Sequence, residues 1–263
     1  MVNSSSRKKL RRFDLPSVLL LDLDDTIVDN SGGRDECWRL ACIDAAAAYP
    51  GLDAEDLHRE IDIFTKLVWS DPEWHREWRM KIREAWQHIA GGGLAALDIE
   101  NADIARMLGD RHFELRNAAM TPLPGAIDTL NQLKLLGVTL GLITNGASAG
   151  QRAKIERFAL AGHFDYIGIE GEVGHGKPDR GAYQAAIDAL EANASDTWMV
   201  GDKLDWDVAG AQSAGILGIW LDKRGEGLPP ESEIRPDRII RSIAELVPSR
   251  LRTPTERATR PER

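Results

Sequence analysis

Four apolar residues, Val18–Leu21, run directly into three carboxylates within four positions, Asp22, Asp24 and Asp25. A short unbroken apolar run is the pattern of a strand buried on both faces, as in a parallel sheet. Carboxylates at the end of such a strand resist burial without partners, and crowding adds mutual repulsion. The stretch therefore calls for positive charge nearby. A divalent cation held by oxygen ligands is a natural supplier. The carboxyl ends of strands in open α/β sheets are also where such folds place their sites.

Beyond Gly32 and Gly33, residues 34–119 carry an almost entirely helical pattern. One helix is expected over 34–49, closed by Pro50-Gly51. A second is capped by Asp53 and runs to about Trp69. A third begins at Ser70-Asp71-Pro72, runs to about Ala90 and stops at Gly91, Gly92 and Gly93. That glycine run reads as a connector or a mobile loop. A fourth helix covers 102–117. From Pro124-Gly125 the pattern changes to alternation. Helices are expected at 126–136, 149–160, 179–191 and 207–214, with strands at 138–143, 166–169, 198–200 and 216–221 and an edge strand at 238–240. Repeated strand-helix units imply a doubly wound parallel sheet. The expected fold is thus α/β: a core made of residues 14–33 and 119–248, with an α-helical block, 34–118, inserted after the first strand. The joint at 31–33 reads as a hinge. The basic stretch at 1–13 and the polar stretch at 249–263 read as disordered tails.

The formal net charge of −9 argues against a nucleic-acid or anionic-membrane surface. No apolar run reaches the length of a membrane span, and no apolar stretch follows the early basic residues as in a secretory signal. Cys37 and Cys42 are five apart on an expected helix and point to different faces. A disulfide framework is not expected, and a reducing cytoplasm fits. The oligomeric state, monomer or homodimer, is left open.

Polar residues of restricted type fall at four expected strand ends: Asp22 and Asp24, then Thr144, then Lys177 in a loop, then Asp202 and Asp207. In a parallel sheet these ends share one edge, so the groups can converge. Four motifs carry them: DLDDT at 22–26, LITNG at 142–146, GKP at 176–178 and GDKLDWD at 201–207. This set, in this order, resembles the haloacid dehalogenase-like (HAD) hydrolase superfamily. The resemblance implies a Rossmann-like HAD core bearing a helical type 1 cap.

Within that resemblance, Asp22 is the expected nucleophile, attacking a phosphoryl group to form an aspartyl-phosphate. Asp24 is the expected general acid and base. Thr144, Asn145, Gly146 and Lys177 are expected to hold the phosphoryl group. Asp22, Asp202 and the carbonyl of Asp24 are expected to bind Mg²⁺, with Asp207 helping through a water or by orienting Lys177. Asp25 is expected to point away, solvated or capping, and Thr26 to support the turn. Trp38, Trp69, Trp74, Trp78 and Trp86 read mainly as core of the helical block. The implied activity is Mg²⁺-dependent hydrolysis of a small phosphorylated metabolite: a nucleotide, sugar phosphate or phosphoglycolate. A phosphomutase of the β-phosphoglucomutase type and a non-catalytic binding module of the same fold stay open. Haloacid dehalogenases and phosphonoacetaldehyde hydrolases lack an acid two residues after the nucleophile, so Asp24 argues against both.

Overall fold

A computed structural model describes residues 15–248; both expected tails lie outside them. The chain divides into two compact units, one comprising the residues up to Asp29 and from Pro122 onward, the other Asn30–Thr121.

The first unit is built on six parallel strands. β1 is Val18–Leu21, and a two-residue strand β2, Val28–Asp29, follows it. In the second unit come α1, Arg34–Ala48; α2, Ala54–Trp69; α3, Pro72–Trp78; α4, Ile82–Ala95; and α5, Ala102–Ala119. β3, Thr121–Pro122, pairs with β2 in a two-stranded sheet. The alternation then runs α6 (Ala126–Leu135), β4 (Thr139–Thr144), α7 (Ser148–Arg157), β5 (Tyr166–Ile169), α8 (Glu170–Val173) and α9 (Arg180–Ala189). It ends with β6 (Thr197–Gly201), α10 (Gly210–Ser213), β7 (Leu217–Leu221) and β8 (Arg238–Ile240).

The strand order is β5-β4-β1-β6-β7-β8, all parallel. β1 is therefore central, and the chain order reverses there: β4 and β5 build outward on one side, β6 to β8 on the other. Leu21 faces Leu142 of β4 and Val200 of β6, so three strands end side by side at Asp22, Thr144 and Gly201. All four residues of β1 are buried, as expected of a strand covered on both faces. Val18 and Leu20 pack with Ile143, Met199 and the α9 residues Ala182 and Tyr183. No helix among the described residues is long and apolar enough to cross a membrane.

The regular structure of the second unit is helical apart from Thr121, and the helices surround one core that includes Trp38, Ile61, Trp86, Ile89 and Leu108. Asp53, Asp71 and Asn101 cap α2, α3 and α5 by accepting from backbone N–H groups of their first turns. Trp38 and Trp86 are core, and Trp69, Trp74 and Trp78 form a chain of ring contacts beside it. Cys37 and Cys42 are both buried and free.

Two expectations fail here. The third helix breaks at 79–81, giving α3 and α4, and α4 continues through Gly91, Gly92 and Gly93 to Ala95. The glycines are neither a connector nor a loop. Two of them let α2 approach: a Cβ on Gly92 would lie 2.3 Å from the Phe64 ring, and one on Gly93 would lie 2.4 Å from Ile61 Cγ1 and 3.0 Å from its backbone. Ordinarily Gly→Ala inside a helix gains about 1 kcal/mol. At Gly93 the sign reverses, because overpacking against backbone costs roughly 1–3 kcal/mol. Gly93→Ala is thus expected to lower the thermal midpoint by several degrees in a calorimetric scan, whereas a gain would refute the close approach.

Candidate active site

The loop after β1 is a tight turn. The Leu23 carbonyl accepts from the N–H groups of Ile27 and Val28 at 2.9 and 3.0 Å, and Asp25 adopts a left-handed backbone at φ 62°. This turn leaves Asp22 on the strand end and Asp24 just beyond it. Asp25 corrects its expectation: it is buried, and its carboxylate accepts from Lys223 Nζ at 2.7 Å. Thr26 donates toward Asp22 Oδ2 at 3.3 Å, a support for the turn.

Lys177 is the hub. Its ammonium is 1% exposed and lies 2.6 Å from both Asp22 Oδ1 and Asp207 Oδ1. Burial disfavours that charge, but Asp207 and then Asp22 outweigh it and raise the lysine above its ordinary range. The loop carrying Lys177 is pinned by Asn145: its Nδ2 donates to the Lys177 carbonyl and its Oδ1 accepts from the Lys177 N–H, both at 2.7 Å. The Asn145 side chain is thus occupied in holding the lysine loop. The Gly146 N–H, expected to meet a phosphoryl oxygen, donates instead to Glu170 Oε2 at 2.8 Å.

Thr144, 1% exposed at the end of β4, accepts at Oγ1 from Gln151 Nε2 at 2.7 Å. Its own hydroxyl proton is therefore directed to a different acceptor. Asp207 is fully buried and accepts from the Lys203 N–H at 2.9 Å, so it ties the entry of the wide π-helical turn Leu204–Ala209 and also orients Lys177. Gly201 is required beside it, since a Cβ there would lie 2.1 Å from Asp207 Cγ. Asp202 accepts from its neighbour Lys203 Nζ at 2.8 Å.

One carboxylate oxygen from each of Asp22, Asp202 and Asp207 lies within 4.8 Å of the others. Three hard oxygen donors, two of them buried, fit Mg²⁺. The charge balance agrees. Burial first, then repulsion from Asp207, Asp202 and Asp24, pushes the Asp22 carboxyl up to about 8 against the pull of Lys177. Burial likewise pushes Asp202 up. The protein's own cations leave this cluster short of positive charge.

The Asp24 side chain does not join that cluster. It faces α7, where Lys154 Nζ lies 2.6 and 2.7 Å from its two oxygens and Gln151 Nε2 lies 3.0 Å from Oδ2. Gln151, Lys154, Glu170, Lys203 and Lys223 escaped the sequence reading. One signal existed for the first two: a Gln and a Lys three apart on the helix that follows LITNG share a face. His163 and His175 stay outside the cluster; His175 lies against Asp179 instead.

The chain has known relatives. The family model for haloacid dehalogenase-like hydrolases matches residues 16–215. A phosphoserine phosphatase of Thermus thermophilus is 31% identical over 253 residues, covering 87% of this chain and 97% of that one. A pyrimidine 5'-nucleotidase of Escherichia coli, YjjG, is 36% identical over 214 residues, covering 74% and 94%. Among solved structures, the magnesium-bound HAD-hydrolase YfnB of Bacillus subtilis superposes with TM-score 0.70 at 24% identity, covering 89% and 97%. Its low identity speaks to the fold, while the family model and the two enzymes speak to kinship. With its four strand ends converging on one sheet edge, the chain belongs to the haloacid dehalogenase-like hydrolases, among the phosphatases of that family.

Proposed function

We propose that this protein hydrolyses a small-molecule phosphomonoester through an aspartyl-phosphate on Asp22, with Mg²⁺ as cofactor. The observation that carries the reading is Lys177, a buried ammonium 2.6 Å from both Asp22 and Asp207 at the edge where Thr144 also ends its strand. A nucleophile, a cation and a hydroxyl donor then surround one position for a phosphoryl group.

Asp22 attacks phosphorus and the bond to the leaving oxygen breaks. Asp24 supplies that oxygen with a proton. Lys177 and the Thr144 hydroxyl neutralise the phosphoryl oxygens as charge shifts onto them. Asp24, now a carboxylate, takes a proton from the water that releases phosphate from Asp22. Mg²⁺, held by Asp22, Asp202, Asp207 and the Asp24 carbonyl, would supply further charge neutralisation when bound. The relatives' names span phosphoserine, pyrimidine nucleotides and glyceraldehyde 3-phosphate, which favours a small phosphorylated metabolite of one of those chemical kinds. Two free buried cysteines support work in the reducing cytoplasm.

Phosphate release from p-nitrophenyl phosphate and then from a panel of phosphorylated metabolites tests this. Release is expected with Mg²⁺, to vanish with EDTA and to return on adding Mg²⁺. A folded protein that releases phosphate from none of them would overturn the reading. Isomerisation of a sugar phosphate without release would assign a mutase instead.

A further inference from the structure

Asp24 is held by two side chains for which the mechanism above has no role. Both come from α7, three residues apart on one face. Lys154 Nζ reaches both carboxylate oxygens, at 2.6 and 2.7 Å, from 130 positions away in sequence. Gln151 Nε2 lies 3.0 Å from Asp24 Oδ2, 2.7 Å from Thr144 Oγ1 and 2.6 Å from the Asn145 carbonyl. Gln151 is 4% exposed. A partly exposed ion pair of this kind adds little to stability. Ordering a lysine onto one carboxylate therefore has little value for the fold.

Geometry gives it another value. With an ammonium on both oxygens and the Gln151 amide close to one, the Asp24 carboxylate is held as an acceptor in this arrangement, the form it takes once it has given its proton to the leaving oxygen. Accepting is its task in the second half-reaction. There water attacks phosphorus, the P–O bond to Asp22 breaks, and the electron pair returns to the Asp22 carboxylate. The proton of the water passes to Asp24, and Lys154 yields one oxygen as it arrives. We propose that Lys154 and Gln151 are positioning residues that hold Asp24 as the proton acceptor for hydrolysis of the aspartyl-phosphate, with Gln151 coupling that carboxylate to Thr144. This rests on the aspartyl-phosphate reading of the site.

Presteady-state kinetics on p-nitrophenyl phosphate test it. Nitrophenolate leaves without needing a proton, so the first half-reaction stays fast when Asp24 is misplaced. Lys154→Met is expected to lower kcat by about tenfold to a hundredfold. It should also produce a nitrophenolate burst that approaches the enzyme concentration, with phospho-enzyme recoverable by acid quench. Lys154→Arg, which keeps a two-pronged donor, is expected to regain most of kcat and lose the burst. Gln151→Met should give the same burst. A merely structural role for Lys154 would lower activity without a burst and without rescue by Arg, and that result, or an unchanged kcat in Lys154→Met, would overturn the inference. If the wild-type protein turns over and Asp22→Asn does not, such a result sinks only this inference. If Asp22→Asn turns over like wild type, the aspartyl-phosphate reading itself has failed.

Discussion

Asp22→Asn is expected to lose phosphatase turnover by roughly 10⁴-fold or more, the scale seen when a nucleophile acting with its partners is removed. The amide is nearly isosteric and cannot form the acyl phosphate, so the loss falls on kcat. The fold is expected to survive. Burial pushes the Asp22 carboxyl up to about 8, which means that its charge is costly where it stands. A carboxyl raised above its unfolded value gives up stability as pH climbs from that value toward the folded one. In metal-free buffer near neutral pH, Asp22→Asn should therefore melt no lower than wild type. Phosphate release and a melting curve on one preparation check both halves. Residual turnover near wild type would move the nucleophile elsewhere, and a collapsed melt would make Asp22 a structural residue.

Lys177→Met is expected to be the most destabilising single change at the site. It strands the buried Asp207 carboxylate and removes the ammonium that lies 2.6 Å from Asp22 as well. Removing one partner from a buried ionic cluster costs about 3–5 kcal/mol. For a domain of this size that lowers the thermal midpoint by roughly 10 °C. Adding Asp207→Asn should restore part of the loss, because one stranded charge then disappears, and the double-mutant cycle reads that coupling. Additive losses would show that Lys177 and Asp207 do not share their charge as the geometry has them.

Much of this was legible along the chain. β1 could be recognised because a doubly covered strand must be apolar at every position, and its four residues are. The helical block stood out because no strand pattern interrupts it, and its caps at Asp53, Asp71 and Asn101 are local chemistry. The glycine run at 91–93 misled for a complementary reason. Glycine marks both chain turns and close approaches, and only the presence of Phe64 and Ile61 opposite selects the second. Gly146 misled similarly: its N–H stands at a helix start, but Glu170 from the next strand's end takes it. Asp25 looked like a solvated neighbour because its partner, Lys223, lies 198 positions away.

By itself the sequence determined which chemistry the protein carries. Residue type and short spacing place Asp22 and Asp24 at one strand end, Thr144 at another, and Lys177, Asp202 and Asp207 after others, and a parallel sheet has one edge at which such ends meet. Tertiary structure alone decided how each group is employed. Asp207 orients Lys177, Asn145 pins the lysine loop, and Lys154 and Gln151 grip Asp24, because hydrogen bonds and ion pairs reach only about 3 Å while these residues lie between 30 and 130 positions apart. Local periodicity carries no information at that range. The reach of α7 side chains to Asp24 after β1 and to Thr144 at the end of β4 is what brings the donors to the carboxylate.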